Sequence, residues 1–150
     1  MLQRTSALLA ALAAILLLTS CTGGKPKVRI NPPTVSVQEL RIDNAQCRLL
    51  VRIQNHSTVS MRYSALRFDR MTLDGRELAP VNVSPDLDVA PYTGEPFVHE
   101  MACPGMTPDA SEIMYRLDGR IDAVEPGRRG FDFDHRSRLL PVPGLTGVYR

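Results

Sequence analysis

From Thr34 onward the apolar residues of this chain alternate with polar ones rather than recurring at helical spacing, and turn residues punctuate the runs. That is the pattern of many short strands. Cys47, Leu49, Val51 and Ile53 alternate cleanly with Arg48, Leu50, Arg52 and Gln54 and mark the clearest strand. In the run before it, Val35 and Val37 share one parity while Leu40 and Ile42 share the other. A bulge near Gln38 is therefore predicted, because a one-residue slip sends side chains to the opposite face of a sheet. Residues 61–73 form the next run, broken at Asp74-Gly75, a pair suited to a tight hairpin. Residues 78–83 return. A long Pro- and Gly-containing connection leads to a strand at 97–103, with Phe97, His99, Met101 and Cys103 on one parity. The last two strands fall at 112–121 and 129–135, the latter with Phe131 and Phe133 inward and Asp132 and Asp134 outward. Only residues 108–112 hint at a helical turn. Seven strands at this spacing predict an all-β fold, a two-sheet sandwich of immunoglobulin-like architecture over residues 34–138.

The ends read differently. Residues 1–20 carry one cation, Arg4, then an unbroken apolar run over 7–18, then small polar residues before Cys21. Twelve apolar residues make a helix of about 18 Å against roughly 30 Å of hydrocarbon, so this is a secretory signal in outline rather than a permanent span. Leu18-Thr19-Ser20-Cys21 resembles the lipobox of bacterial lipoproteins, which implies that Cys21 is acylated and becomes the mature N-terminus. Thr22 follows where those lipoproteins carry Asp for retention, which implies the inner leaflet of the outer membrane, facing the periplasm. Two or more acyl chains anchor stably, at about 0.8 kcal/mol per buried methylene. Residues 21–33, with Gly23, Gly24, Pro26, Pro32 and Pro33 and the cations Lys25, Lys27 and Arg29, are expected to be a flexible tether reaching about 40 Å. Residues 139–150 form a Pro- and Gly-rich tail. Its apolar positions, Leu139, Leu140, Val142, Leu145 and Val148, are expected to pack on the chain's own domain.

A second resemblance covers roughly residues 33–134. Val51-Arg52-Ile53-Gln54-Asn55-His56-Ser57 is an apolar strand ending in Asn and a short polar residue; Asp74-Gly75 sits in a hairpin; Gly94 precedes the fifth strand; and Tyr115-Arg116-Leu117-Asp118-Gly119 lies in the next. These resemble the group 2 late-embryogenesis-abundant proteins, also called the water-stress-and-hypersensitive-response domain. Where that family often has Asn-Pro-Asn, this chain has Asn55-His56-Ser57. The resemblance implies a seven-stranded sandwich, an association with desiccation and no catalytic residues. Asn55, Gly75, Gly94 and Gly119 are structural turn positions in this reading, since an Asn amide closes a turn and Gly takes backbone angles other residues avoid.

Charge and chemistry narrow the function. Without Arg4 the chain has 17 Lys and Arg against 16 acids, too balanced for a nucleic-acid binder. His56, His99 and His135 stand on different segments at no metal-ligand spacing, and there is no nucleophile elbow or phosphate-cradling glycine loop. No metal, cofactor or small-molecule substrate is expected, and His99 is expected to be a partly buried histidine at the sandwich edge. Arg128, Arg129, Arg136 and Arg138 around the last strand are expected to form a salt-bridged edge that discourages strand addition. With Cys21 acylated, Cys47 and Cys103 are the remaining thiols, delivered to an oxidising compartment. Cys47 opens its strand and Cys103 closes an antiparallel neighbour, so a disulfide is predicted, the alternative being two separate buried thiols. The chain is thus expected to be a non-enzymatic envelope lipoprotein that binds or shields envelope components, or else an adaptor docking one envelope complex.

Overall fold

The computed structural model describes residues 27–150. Ten strands occur among them, and no helix: β1 (Thr34–Asp43), β2 (Gln46–Gln54), β3 (Met61–Leu73), β4 (Arg76–Leu78), β5 (Val81–Val83), β6 (Leu87–Val89), β7 (Gly94–Ala102), β8 (Ile113–Glu125), β9 (Arg129–Leu139) and β10 (Val148–Tyr149). They build two antiparallel sheets, one in the order β10-β1-β2-β7, the other in the order β4-β3-β8-β9 with β5 and β6 also paired to β3. The all-β sandwich is as the alternation predicts.

The seven-strand count is not. The expected return over 78–83 is two short strands, β4 and β5, because Pro80 has no N–H to donate to a ladder. The connection expected to be irregular contributes β6, so the thirteen-residue β3 is edged by three three-residue strands in succession. The tail supplies β10. Residues 108–112 form a turn rather than a helix.

The bulge lies where parity places it: the β1–β2 register shifts between Val37 and Glu39, and Val35, Val37, Leu40 and Ile42 are all buried. They face a core that includes Met61, Tyr63, Leu66, Phe68, Leu117 and Ile121 from the other sheet. Phe133 from the edge strand β9 meets Phe68 edge to face, ring centres 5.9 Å apart. The shift leaves Glu39 buried on the outer side of the sheet, 8% exposed, where Arg41 and Arg150 hold its carboxylate.

Candidate functional site

Cys21 lies outside the described residues. The two remaining cysteines form the predicted disulfide: Cys47 in β2 lies beside Met101 of β7, and Cys103, just past the end of β7, bonds to it with 5.7 Å between Cα atoms. The bond staples neighbouring strands of one sheet.

Asn55 is fully buried at the end of β2 and joins three segments. Its side-chain amide donates to the carbonyls of Val59 (2.9 Å), Val89 (3.0 Å) and Ala90 (3.1 Å), and its Oδ1 accepts the Ser57 N–H at 2.8 Å. Its own N–H donates to the Thr93 carbonyl. Ser57, also fully buried, accepts the Asn31 N–H at 3.0 Å through Oγ. Asn55 thus ties the end of β2 to residues 57, 59, 89 and 90. Asp74 and Gly75 both have positive φ, +50° and +73°, in the β3–β4 hairpin. Gly119 is required by contact instead, since a Cβ there would lie 1.9 Å from the Arg67 carbonyl oxygen on β3. Gly94 opens β7 beneath the Arg52 and Gln54 side chains.

The described part of the tether, residues 27–33, differs from its expectation. Thr58 N–H donates to the Arg29 carbonyl at 2.9 Å, Arg29 N–H donates to Thr58 Oγ1 at 2.8 Å, and Asn31 Nδ2 donates to the His56 carbonyl at 2.7 Å. Residues 27–33 are therefore seated on the β2–β3 loop. The same end of the sandwich carries residues 90–93 and the β8–β9 hairpin, whose Glu125 pairs with Arg62 in register. Lys27, Arg29, Arg128 and Arg129 are exposed there and form no ion pair among the described residues, and Val28 and Tyr92 are 62% and 64% exposed. An open groove of about 540 Å³ beside the hairpin is lined by Ser64, Ala65, Asp122, Arg128 and Arg129 among others. The clustering at this end was not legible in the sequence, where these residues are scattered over a hundred positions.

Most arginines of the outer faces are paired. On the β3-β8-β9 face Arg116 Nη2 donates to Asp118 (2.8 Å) and Asp134 (2.9 Å), and Arg120 Nη1 donates to Asp132 at 2.9 Å. Arg62 grips Asp86 with two hydrogen bonds of 3.0 and 2.9 Å. The hydrogen bond that Arg116 donates to Asp118 holds its guanidinium more firmly protonated than usual. On the other sheet, hydrogen bonds from Arg41 and then Arg150 hold the Glu39 carboxyl below its ordinary range. Of the four arginines expected at the edge, Arg136 pairs with Asp134 and Arg138 with Glu112, whereas Arg128 and Arg129 have no ion pair among the described residues. His99 sits half-buried on the inward row of β7, and burial pushes its imidazole below the ordinary value. Burial likewise pushes Tyr63 up to about 12. Among the described residues no three His, Cys, Asp or Glu side chains group as metal ligands would.

No family model matches this chain, and no curated protein matches it. Solved structures do. A solution structure of an Arabidopsis thaliana protein is similar with a TM-score of 0.53 and 16% identity, over 81% of this chain and 90% of that one. An X-ray structure of the Northeast Structural Genomics Consortium target SoR45 gives 0.49 and 13% over 78% and 92%. A solution structure of a candidate late embryogenesis abundant protein gives 0.47 and 12% over 94% and 88%. The described domain thus shares the fold of the Arabidopsis protein.

Proposed function

We propose that this chain is a lipid-anchored protein of a bacterial outer membrane, facing the periplasm, whose sandwich shields neighbouring envelope components when water is scarce and does so without catalysis. The observation that carries the reading is the paired surface. Nine arginines lie within ion-pair distance of a carboxylate, most of them on the outer faces of the two sheets. In dilute solution such exposed pairs contribute little, about 0–1 kcal/mol each. Their attraction grows as the surroundings lose dielectric, from about 1 kcal/mol at 4 Å in bulk water to about 4 kcal/mol at an effective dielectric of 20. A surface whose charges already satisfy one another keeps its structure as hydration is withdrawn. The family resemblance of residues 33–134 supports the same association with water stress.

The test is recovery of a desiccation-sensitive enzyme dried with and without this protein. Protection above that given by an equal mass of an unrelated soluble protein is expected, and its absence refutes the reading. Cys21→Ser is expected to move the protein from the membrane fraction to the soluble periplasm. A second reading, an adaptor for one envelope complex, is favoured by Leu140 and Leu145, each 51% exposed at the far end of the domain from the tether. A pull-down of the intact lipoprotein separates the two: a single stoichiometric partner lost on Leu140→Asp with Leu145→Asp supports the adaptor.

A further inference from the structure

We propose that the tether-bearing end of the sandwich is a docking surface for anionic phospholipid headgroups, so that the domain lies against the bilayer that holds its anchor. The proposal rests on the acylation of Cys21 put forward above. Reach is the first argument. If residues 27–33 were free, the domain would hang on about 40 Å of chain, but hydrogen bonds between Thr58 and the backbone of Lys27 and Arg29 hold the chain from there onward. Only the steps from Cys21 to Lys27 remain, a reach of about 20 Å at full extension. The end of the domain is therefore confined near the headgroup layer whatever its affinity for it.

Charge is the second argument. Lys27, Arg29, Arg128 and Arg129 project from this end with no carboxylate partner among the described residues, in contrast to the paired arginines of the two faces. The acids nearby are the exposed Glu95 and Glu125, Asp122, which Arg120 engages, and Asp86 and Asp88, which Arg62 engages. The opposite end leans the other way: Asp43, Asp74, Glu77, Asp109 and Glu112 are exposed there, against the cations Arg76 and Arg138, the latter paired with Glu112. Near an anionic surface each cation strengthens association by about fivefold, and the polarity of the domain turns the basic end inward.

The third argument is the side chains between the cations. Tyr92 is 64% exposed at a φ of +59°, uncommon for a bulky residue, in a loop that Asn55 and Gln54 fix through the Thr93 and Tyr92 carbonyls. An aromatic ring with a hydroxyl tip suits the headgroup boundary, where Tyr is enriched. Val28 stands exposed beside the seated tether.

The chain has no Trp, so a single introduced one reports without background. Acylated protein carrying Tyr92→Trp, or Leu140→Trp at the far end as the control, is reconstituted into vesicles of phosphatidylethanolamine and phosphatidylglycerol, and into neutral phosphatidylcholine vesicles. The expected result is a blue shift and quenching by brominated lipid at position 92 but not at 140, in the anionic vesicles. Arg128→Glu with Arg129→Glu should reduce quenching at 92 to the level at 140, and so should salt that shortens the Debye length from about 8 Å to about 3 Å. Vesicles that float with the protein attached while position 92 is quenched no more than 140 overturn the docking proposal and leave the anchor standing. Protein that fails to float with either vesicle overturns the anchor and the docking together.

Discussion

Replacing Asn55 is the sharpest test of how this sandwich is held at its tether-bearing end. Its buried amide makes three donor contacts to backbone carbonyls of Val59, Val89 and Ala90 and one acceptor contact with Ser57 N–H. Asn55→Ala removes all four and leaves carbonyls and an N–H from two loops without partners in a place water does not reach freely. At about 1 kcal/mol per lost bond the loss is about 4 kcal/mol before the added cost of stranded buried groups, a large fraction of a small domain's stability. Asn55→Asp nearly preserves shape but turns the donating end into an acceptor that faces three carbonyl oxygens. At neutral pH it should therefore be at least as damaging as Ala. Burial and those carbonyls disfavour the ionised form, so the folded-state pKa of the new carboxyl lies above its unfolded value of about 3.9. A raised pKa contributes stability that is present below the unfolded value and lost as pH rises, so Asn55→Asp should recover as pH falls toward 4 while Asn55→Ala does not. Urea unfolding of both variants across that range is the assay. An Asp variant more stable than Ala at pH 7, or one whose deficit does not shrink on acidification, would refute the assignment of Asn55 as a donor to buried carbonyls.

Reducing the Cys47–Cys103 bond, with a sequence separation of 56, should cost about 4 kcal/mol on the chain-entropy estimate, and thiol alkylation under non-reducing conditions should leave the mass unchanged. Glu39→Gln should cost about 1 kcal/mol at pH 7, discounted for its exposed arginine partners. Because Arg41 and Arg150 depress the Glu39 pKa, that stability is present above the unfolded value and fades as pH falls through the folded one, so the wild-type and variant curves should converge in acid. Parallel curves in urea titrations would contradict this. Gly119→Ala should cost about 3 kcal/mol, as its Cβ meets the Arg67 carbonyl, and more than Gly75→Ala, whose Cβ meets nothing within 4 Å and suffers only the strain of its positive φ. Thermal melts that reverse this order would undo the distinction between contact and conformation.

Local period made the sheets readable. The parity of Val35, Val37, Leu40 and Ile42 fixes a bulge without any knowledge of partners, and Asp74-Gly75 carries its hairpin in its own backbone preferences. The disulfide followed from strand direction and from a count of thiols. What the sequence hid depends on long-range partners. Strand β10 is two residues long, too short for any period, and exists because β1 offers it an edge. The seating of residues 27–33 depends on Ser57 and Thr58, which look like ordinary loop residues until their hydroxyls meet the chain that precedes β1. Lys27, Arg29, Arg128 and Arg129 belong to one end only because antiparallel strands return there. Nothing in the spacing of the arginines tells which would be left unpaired.

The pairing of Leu40 and Arg41 with Tyr149 and Val148 has a consequence for how the domain is completed. One border of β1 lies open until residues more than a hundred positions later arrive, and Tyr149, fully buried, arrives with them. A chain delivered N-terminus first across a membrane would present that border, and the gap left by the Tyr149 ring, throughout its passage. Closure thus waits for residues 148 and 149. Chains interrupted before residue 148 would keep an unzipped border and an unfilled core, and a quality-control protease would find them distinguishable from finished ones by that border alone.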